Sequence, residues 1–260
     1  MLFAMALLLR RLHARPLLCG AVLALHLLGA HAQAPLADRL TGDVGGAAYI
    51  TPSPVRGVSD TAIALPYAYA DWGRFFARVD TLGVKTLPLG YGYLELAARI
   101  SFEGYRADAA SLRGISDRRN PLPIGIGTYQ ETPLGGFFLN AFYDTASRGA
   151  LLEASYAAEL PAGRWTFYPQ IGVERRSARY VSHLYGVTSA ESAASGYAAY
   201  APGASTTPVL GLAAEVPLGG PWLLSLQWRR KWFDAAVRNS PLVNSRMQDT
   251  GLIALAYRFK

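Results

Sequence analysis

Read with a period of two, the C-terminal stretch Thr250–Lys260 separates into two faces. Gly251, Ile253, Leu255, Tyr257 and Phe259 fall on one side, and Leu252, Ala254, Ala256 and Arg258 on the other. Large apolar and aromatic residues on one face, with small ones and an arginine opposite, suit a strand with lipid outside and a lumen inside. A terminal strand cannot stay an open edge in a bilayer, where its N–H and C=O groups have no water to bond. It has to pair with the first strand, so the pattern predicts a closed sheet.

The same alternation recurs upstream. Asp43–Ile50, Thr61–Ala70, Arg74–Leu82, Tyr93–Glu103, Ile124–Glu131, Phe137–Thr145, Leu151–Leu160, Arg164–Glu174, Val209–Leu218 and Trp222–Phe233 all read as strands. In Tyr93–Glu103, Leu94, Leu96, Ala98, Ile100 and Phe102 oppose Glu95, Ala97, Arg99, Ser101 and Glu103. In Arg164–Glu174, Trp165, Phe167, Pro169, Ile171 and Val173 oppose Arg164, Thr166, Tyr168, Gln170 and Glu174. With the last strand the count is eleven, and a bacterial single-chain barrel has an even number. Taking Ala178–Tyr185 as a separate strand gives twelve, which is the expectation; removing one early strand gives ten.

A soluble β-sandwich would alternate as well. Two features favour a membrane barrel. The polar faces carry charges of both signs, Arg78, Asp80, Glu95, Arg99, Glu153, Glu159, Glu174, Arg229 and Lys231, as a lumen would. Aromatics gather at strand ends (Tyr69, Trp72, Trp165, Trp222, Trp232, Tyr257), where interfacial girdles lie. Asp71-Trp72-Gly73, Pro133–Gly136 and Pro161–Gly163 read as short turns, while 104–123 and 186–207 read as long loops. The fold class is therefore all-β, a single antiparallel transmembrane β-barrel.

The N-terminus fits that destination. A basic segment with Arg10, Arg11 and Arg15 precedes a short apolar run and Ala30-His31-Ala32. This is the order of a secretory signal peptide, cleaved after Ala32, which leaves residues 33–260 as the barrel domain. Cleavage removes Cys19 and every histidine but His183, so no thiolate or cysteine metal site remains. It also removes three arginines, leaving 22 basic against 18 acidic residues, or +4. That is too mild to point to nucleic acid.

Chemistry is scarce. His183 has Ser189, Ser192, Ser195 and Glu191 within loop reach, but a single loop histidine is the simpler reading, and no phosphate-binding or metal-ligating spacing occurs. Glu153 and Glu159 read as lumen carboxylates neutralised by arginine. No enzyme activity and no cofactor are expected.

The segment Tyr185–Tyr200 carries a resemblance. Tyr185-Gly186-Val187-Thr188, Ala190, Ala194-Ser195-Gly196 and Tyr200 resemble the MipA/OmpV family of Gram-negative outer-membrane proteins, the MltA-interacting proteins. Ser240-Pro241-Leu242-Val243, Tyr257-Arg258-Phe259, Leu65-Pro66, Arg74-Phe75-Phe76 and Leu112-Arg113-Gly114 are further pieces of it. Two departures stand out: the first loop reads Thr51–Arg56 rather than as an acidic segment, and Lys260 follows the closing aromatic. The resemblance implies an outer-membrane location, Tyr257 and Phe259 as the signal to the assembly machinery, and a scaffold linked to murein synthesis and hydrolysis. Its implied partners are a murein transglycosylase and a penicillin-binding protein, besides outer-membrane lipid. A small-solute channel and a surface adhesin are the alternatives.

Overall fold

The structure, a computed structural model, describes residues 35–260; the leader 1–32 lies outside the described residues. One antiparallel sheet contains β1 (Ala37–Thr51), β2 (Thr61–Gly73), β3 (Phe75–Arg78), β4 (Thr81–Leu89), β5 (Gly92–Arg99), β6 (Pro123–Thr132) and β7 (Gly135–Asp144). It continues through β8 (Gly149–Ala157), β9 (Leu160–Ala162), β10 (Trp165–Arg176), β11 (Ser205–Gly219), β12 (Trp222–Trp232) and β13 (Met247–Phe259). Among the described residues three α-helices lie in its long loops, α1 (Ala178–Tyr185), α2 (Ser189–Ser195) and α3 (Ala235–Arg238), with a short 3-10 turn at Ala110–Leu112. The last strand pairs with the first, from Gly42 opposite Phe259 to Ile50 opposite Gly251, and closes the barrel.

Strands β8 and β9 both pair with β10, so they are two pieces of one wall position and the barrel has twelve. The break has a cause in Pro169. The Pro169 carbonyl accepts from Ala158 N–H, so the proline nitrogen faces the same neighbour and has no hydrogen to return. Twelve positions put the start of β1 and the end of β13 at the rim of short turns, with the long loops at the opposite rim.

The twelfth strand is not the one expected. Ala178–Tyr185 is the helix α1, capped by Ser177, whose side chain accepts from Tyr180 N–H. The missing strand is β4, because the stretch read as one strand, Arg74–Leu82, folds back at Val79-Asp80 into the hairpin β3–β4. Strand β1 begins at Ala37, six residues before the expected Asp43, and Asp71-Trp72-Gly73 lies within β2, not in a turn. Strand β5 ends at Arg99, so Ser101–Glu103 are loop, while β11 begins four residues before the expected Val209, at Ser205.

Side-chain direction follows the alternation. In β13, Ile253, Leu255, Tyr257 and Phe259 are exposed to the surroundings, whereas Leu252, Ala254 and Ala256 are buried inside. Strand β2 reverses the usual sizes: Tyr67 and its partners Leu65 and Tyr69 pack into the interior, and Ala62, Ala64 and Pro66 face out. Trp72, Trp165 and Trp222 form an outward aromatic band at the short-turn rim, with Trp222 edge-on to Tyr257 at 5.8 Å. Tyr69, expected in that band, instead lies under the Arg78 guanidinium, 4.9 Å from its centroid, inside the barrel.

The wall is uneven in height. Strand β3 pairs with β2 only from Tyr69 to Trp72, so above Ala68 the outer half of β2 has β1 on one side and no strand on the other. Ala68 C=O accepts from Val79 N–H across this side, which by strand parity puts the nitrogen of Pro66 there too. A proline at that point forfeits no donor and blunts an edge that would otherwise recruit another strand.

Candidate interaction site: a loop cap over a charged lumen

The long loops do not stand away from the barrel. They fold over its outer mouth into an apolar cap of Val55, Tyr105, Leu112, Ile115, Tyr180, Val181, Leu184, Tyr185, Val187, Phe233, Val237, Leu242 and Val243. Leu112, Leu184 and Leu242, from three different loops, are completely buried. Helix α1 supplies Tyr180, Val181, Leu184 and Tyr185, a stripe at helical spacing that turns its apolar side down onto the lumen.

The Tyr185–Tyr200, Leu112-Arg113-Gly114 and Ser240-Pro241-Leu242-Val243 pieces of the family resemblance meet here, whereas Leu65-Pro66, Arg74-Phe75-Phe76 and Tyr257-Arg258-Phe259 lie in the wall or at the short-turn rim. Tyr185 ends α1, and Val187 and Tyr200 form a two-way backbone bridge at 2.9 Å, clasping the base of the loop. Thr188 caps α2 in a capping box with Glu191, and Gly196 ends the helix at φ 78°, a left-handed conformation that favours glycine. Ser195 donates to Glu191 C=O at 2.6 Å, and the Tyr200 hydroxyl reaches Ala236 C=O at 3.0 Å. Gly186 C=O accepts from Arg118. From the last loop, Ser240 donates to Tyr185 C=O at 2.6 Å. From the first, Gly114 (φ 88°) is so close to Ala194 and Ser195 that a Cβ would lie 2.6 Å from the Ala194 carbonyl carbon.

Glu191 is the hub of the cap. It accepts from the backbone N–H of Ser116 and Thr188 and pairs with Arg118 at 2.9 Å. Burial pushes its carboxyl up, but these donors outweigh burial and hold it down at about 2. With Glu191 so engaged, no Ser–His–acid chain forms among the described residues. The His183 ring bonds Arg119 C=O, and Ser192 donates to Tyr197 C=O.

Beneath the cap is a layer of ion pairs. Glu174, 2% exposed, receives Arg176 at 2.9 Å, Arg229 at 2.7 Å and Lys231 at 3.0 Å. Glu103 descends from the first long loop to pair with Arg176 at 2.6 Å and accepts from the Tyr180 hydroxyl at 3.3 Å, tying the cap to the wall. Arg99 joins Asp80 at 3.7 Å and also pairs with Glu153. Four cations here face four carboxylates, so the layer is balanced.

Towards the short-turn rim the lumen widens into a cavity of about 530 Å³ lined by Tyr69, Arg78, Glu95, Tyr129, Glu159 and Tyr168, among others. Arg78 and Lys85 both pair with Asp71 at 2.9 Å, and Arg258 joins Asp43 at 2.7 Å and Glu215 at 3.1 Å. Glu159, expected to be neutralised by arginine like Glu153, has no ion pair among the described residues. Asp43, Asp71, Lys85, Arg176 and Glu215 are lumen charges that the sequence reading did not select, and Glu103 and Arg258, which alternation puts on the polar faces of their stretches, join them. Period two within β10 puts Arg176 beside Glu174, and Leu82/Val84 alternating with Gly83/Lys85 marks β4, but Pro88 and Gly83 mask that strand.

Residues 44–259 match the family model described as MltA-interacting protein MipA. Among relatives, the "Putative outer membrane protein YiaT" of Escherichia coli strain K12 is 25% identical over 221 residues, which is 83% of this chain and 90% of the relative. The "MltA-interacting protein" of the same strain is 29% identical over 151 residues, 57% of this chain and 60% of the relative.

Proposed function

We propose that this chain, which belongs to the MipA family of MltA-interacting proteins and is a β-barrel of the Gram-negative outer membrane, works as a non-enzymatic docking protein for the murein machinery. Its direct partner in this reading is a murein transglycosylase of the kind named in its relative, with a penicillin-binding protein in the same assembly. The observation that supports a docking role over a conduit is the double closure of the lumen. A balanced ionic layer and an apolar lid of interlocked loops lie between the cavity and the outside. A path for solutes would require both to be dismantled, and burying apolar side chains of this size resists that. The loops that an adhesin would extend outward are the ones used to build the lid.

The short-turn rim is where a murein enzyme has access, and the tips Leu87, Leu134, Leu160 and Leu218 are exposed there. The test is affinity capture with the folded barrel as bait in detergent-solubilised envelopes of its own host. A murein transglycosylase retained on the native barrel and lost after replacing Leu134 and Leu218 by serine is the expected result. Recovery of no murein enzyme would remove the reading.

A further inference from the structure

We infer that the outer rim above β6–β8, with an apolar furrow beneath it on the outside of the wall, binds one molecule of a phosphorylated glycolipid. Its sugar phosphates lie on the arginines of the rim and an acyl chain lies in the furrow. Three segments make this part of the rim: 119–122 before β6, the β7–β8 turn at 144–149, and the end of β10 with α1. They are knitted together. Asp144, completely buried, accepts from Leu122 N–H and Ser147 N–H, both at 2.6 Å. Ser177 accepts from Ala150 N–H at 2.9 Å, and the His183 ring bonds Arg119 C=O at 2.9 Å. Arg119, Arg148 and Arg179 therefore crowd one sector, with Arg175 below them on the outward face of β10. Strand β6 runs ten residues from Thr132 to Pro123, the length that crosses a hydrocarbon core, so Arg119 stands at the level of the outer headgroups.

Charge in this sector has one sign. The side chains of Arg119, Arg148 and Arg179 are exposed, with no ion pair or hydrogen bond among the described residues, and Arg175 is bonded only to the Thr206 hydroxyl at 2.7 Å. The neighbouring acids are engaged elsewhere: Asp144 as above, Asp117 with Ala107 N–H at 2.8 Å, and Glu191 with Arg118. Across the barrel, by contrast, Arg230 is already paired with Asp249 at 2.8 Å. Free guanidinium groups at headgroup level suit phosphate, which they grip with two parallel N–H donors. Four of them on three segments exceed what a single phosphodiester engages, so the matching head is broad and carries more than one phosphate.

Beneath Arg119 and Leu122 the lipid face of the wall is hollowed. The register puts Ala98 between Leu82 and Ile124, and Leu96 between Val84 and Ile126 one row down. The Ala98 methyl is the floor and the longer side chains are the banks of a furrow of about 730 Å³, lined almost wholly by carbon. An acyl chain packs into such a furrow by dispersion and loses no hydrogen bond in doing so. Leu122 and Ile124, both exposed on the outside, make furrow and arginines continuous. Inorganic phosphate would use the arginines and leave the furrow empty, and an uncharged lipid would do the reverse. An amphiphile with phosphates on a sugar head and several acyl chains, the lipid of the outer leaflet facing this rim, fits both.

The experiment is titration of the detergent-folded barrel with diphosphoryl lipid A, read by native mass spectrometry. One lipid A retained per barrel, saturably, is expected, with phosphatidylglycerol held severalfold more weakly. Arg148→Gln/Arg179→Gln should weaken retention roughly tenfold, the scale of two cations lost beside an anionic head. Arg238→Gln/Arg246→Gln, the same loss of charge in the β12–β13 loop on the far side of the rim, should leave it unchanged. Ala98→Leu, which fills the furrow and leaves every charge in place, should weaken it severalfold. Heat-dependent gel migration checks that each variant is a folded barrel, and the outward-facing Ala98→Leu keeps the test open if the arginine pair does not fold. No saturable retention, equal retention of phosphatidylglycerol, equal loss in both arginine pairs, or indifference to Ala98→Leu would overturn the inference.

Discussion

Glu174 has more charge around it than any other residue of the lumen, with Arg176, Arg229 and Lys231 all within 3.0 Å. Removing it leaves those cations with Glu103 as their remaining acid, and stranding buried charge costs on the order of 3 kcal/mol. Glu174→Ala should therefore shift the urea unfolding midpoint of the micelle-folded barrel well below native; a change of less than about 1 kcal/mol would show the layer is not under tension. In the cap, Glu191 is held at about 2, below its unfolded value. Its stabilisation is present above the ordinary glutamate range and is lost as pH falls from there towards 2. Pepsin should nick residues 186–204 increasingly across that window, and Glu191→Gln should nick readily without needing the pH to fall. At this scale the sequence is only half legible. Period two says that Glu153 and Glu159 face inward, but not that Arg99 reaches one and nothing reaches the other. That depends on which strand lies opposite.

Among the elements, long strands with regular alternation are readable, and exceptions are local. Tyr180, Val181, Leu184 and Tyr185 are at helical spacing behind the cap Ser177, yet a run of alternating strands on either side makes α1 easy to read as one more. Thr188-Ser189-Ala190-Glu191 is a capping box in plain sequence, legible as the start of α2 within a stretch rich in Ser, Ala and Gly. The β3–β4 hairpin is harder. Its turn uses Val79 at φ 59°, where a β-branched residue is rare, so no glycine or asparagine announces it. Gly114 links the first long loop to α2 by close approach, and Gly114→Ala combines a strained φ with collision against Ala194. Loss of about 1–3 kcal/mol from the cap is expected. It would be measured as faster hydrogen exchange in residues 186–200 with the strands unchanged; equal exchange would mean the two loops are not coupled.

At the scale of the whole molecule, three tiers share one axis: an apolar lid, a balanced ionic layer and an aromatic cavity open to the short turns. Closure was legible from the last strand, because an unpaired edge has no solution in lipid. The blocked mouth was not, because loops rich in small polar residues give no sign that their few aromatics and leucines converge. The docking reading depends on that blockage. Planar-bilayer recording of the purified barrel tests it most directly. The native protein should give no conductance steps, and steps should appear only when deletion of residues 189–195 with Leu184→Ser, which opens the lid, is combined with Glu174→Ala and Arg176→Ala, which open the ionic layer beneath it. Steady, sized openings from the native protein would contradict a capped barrel and return it to the channels.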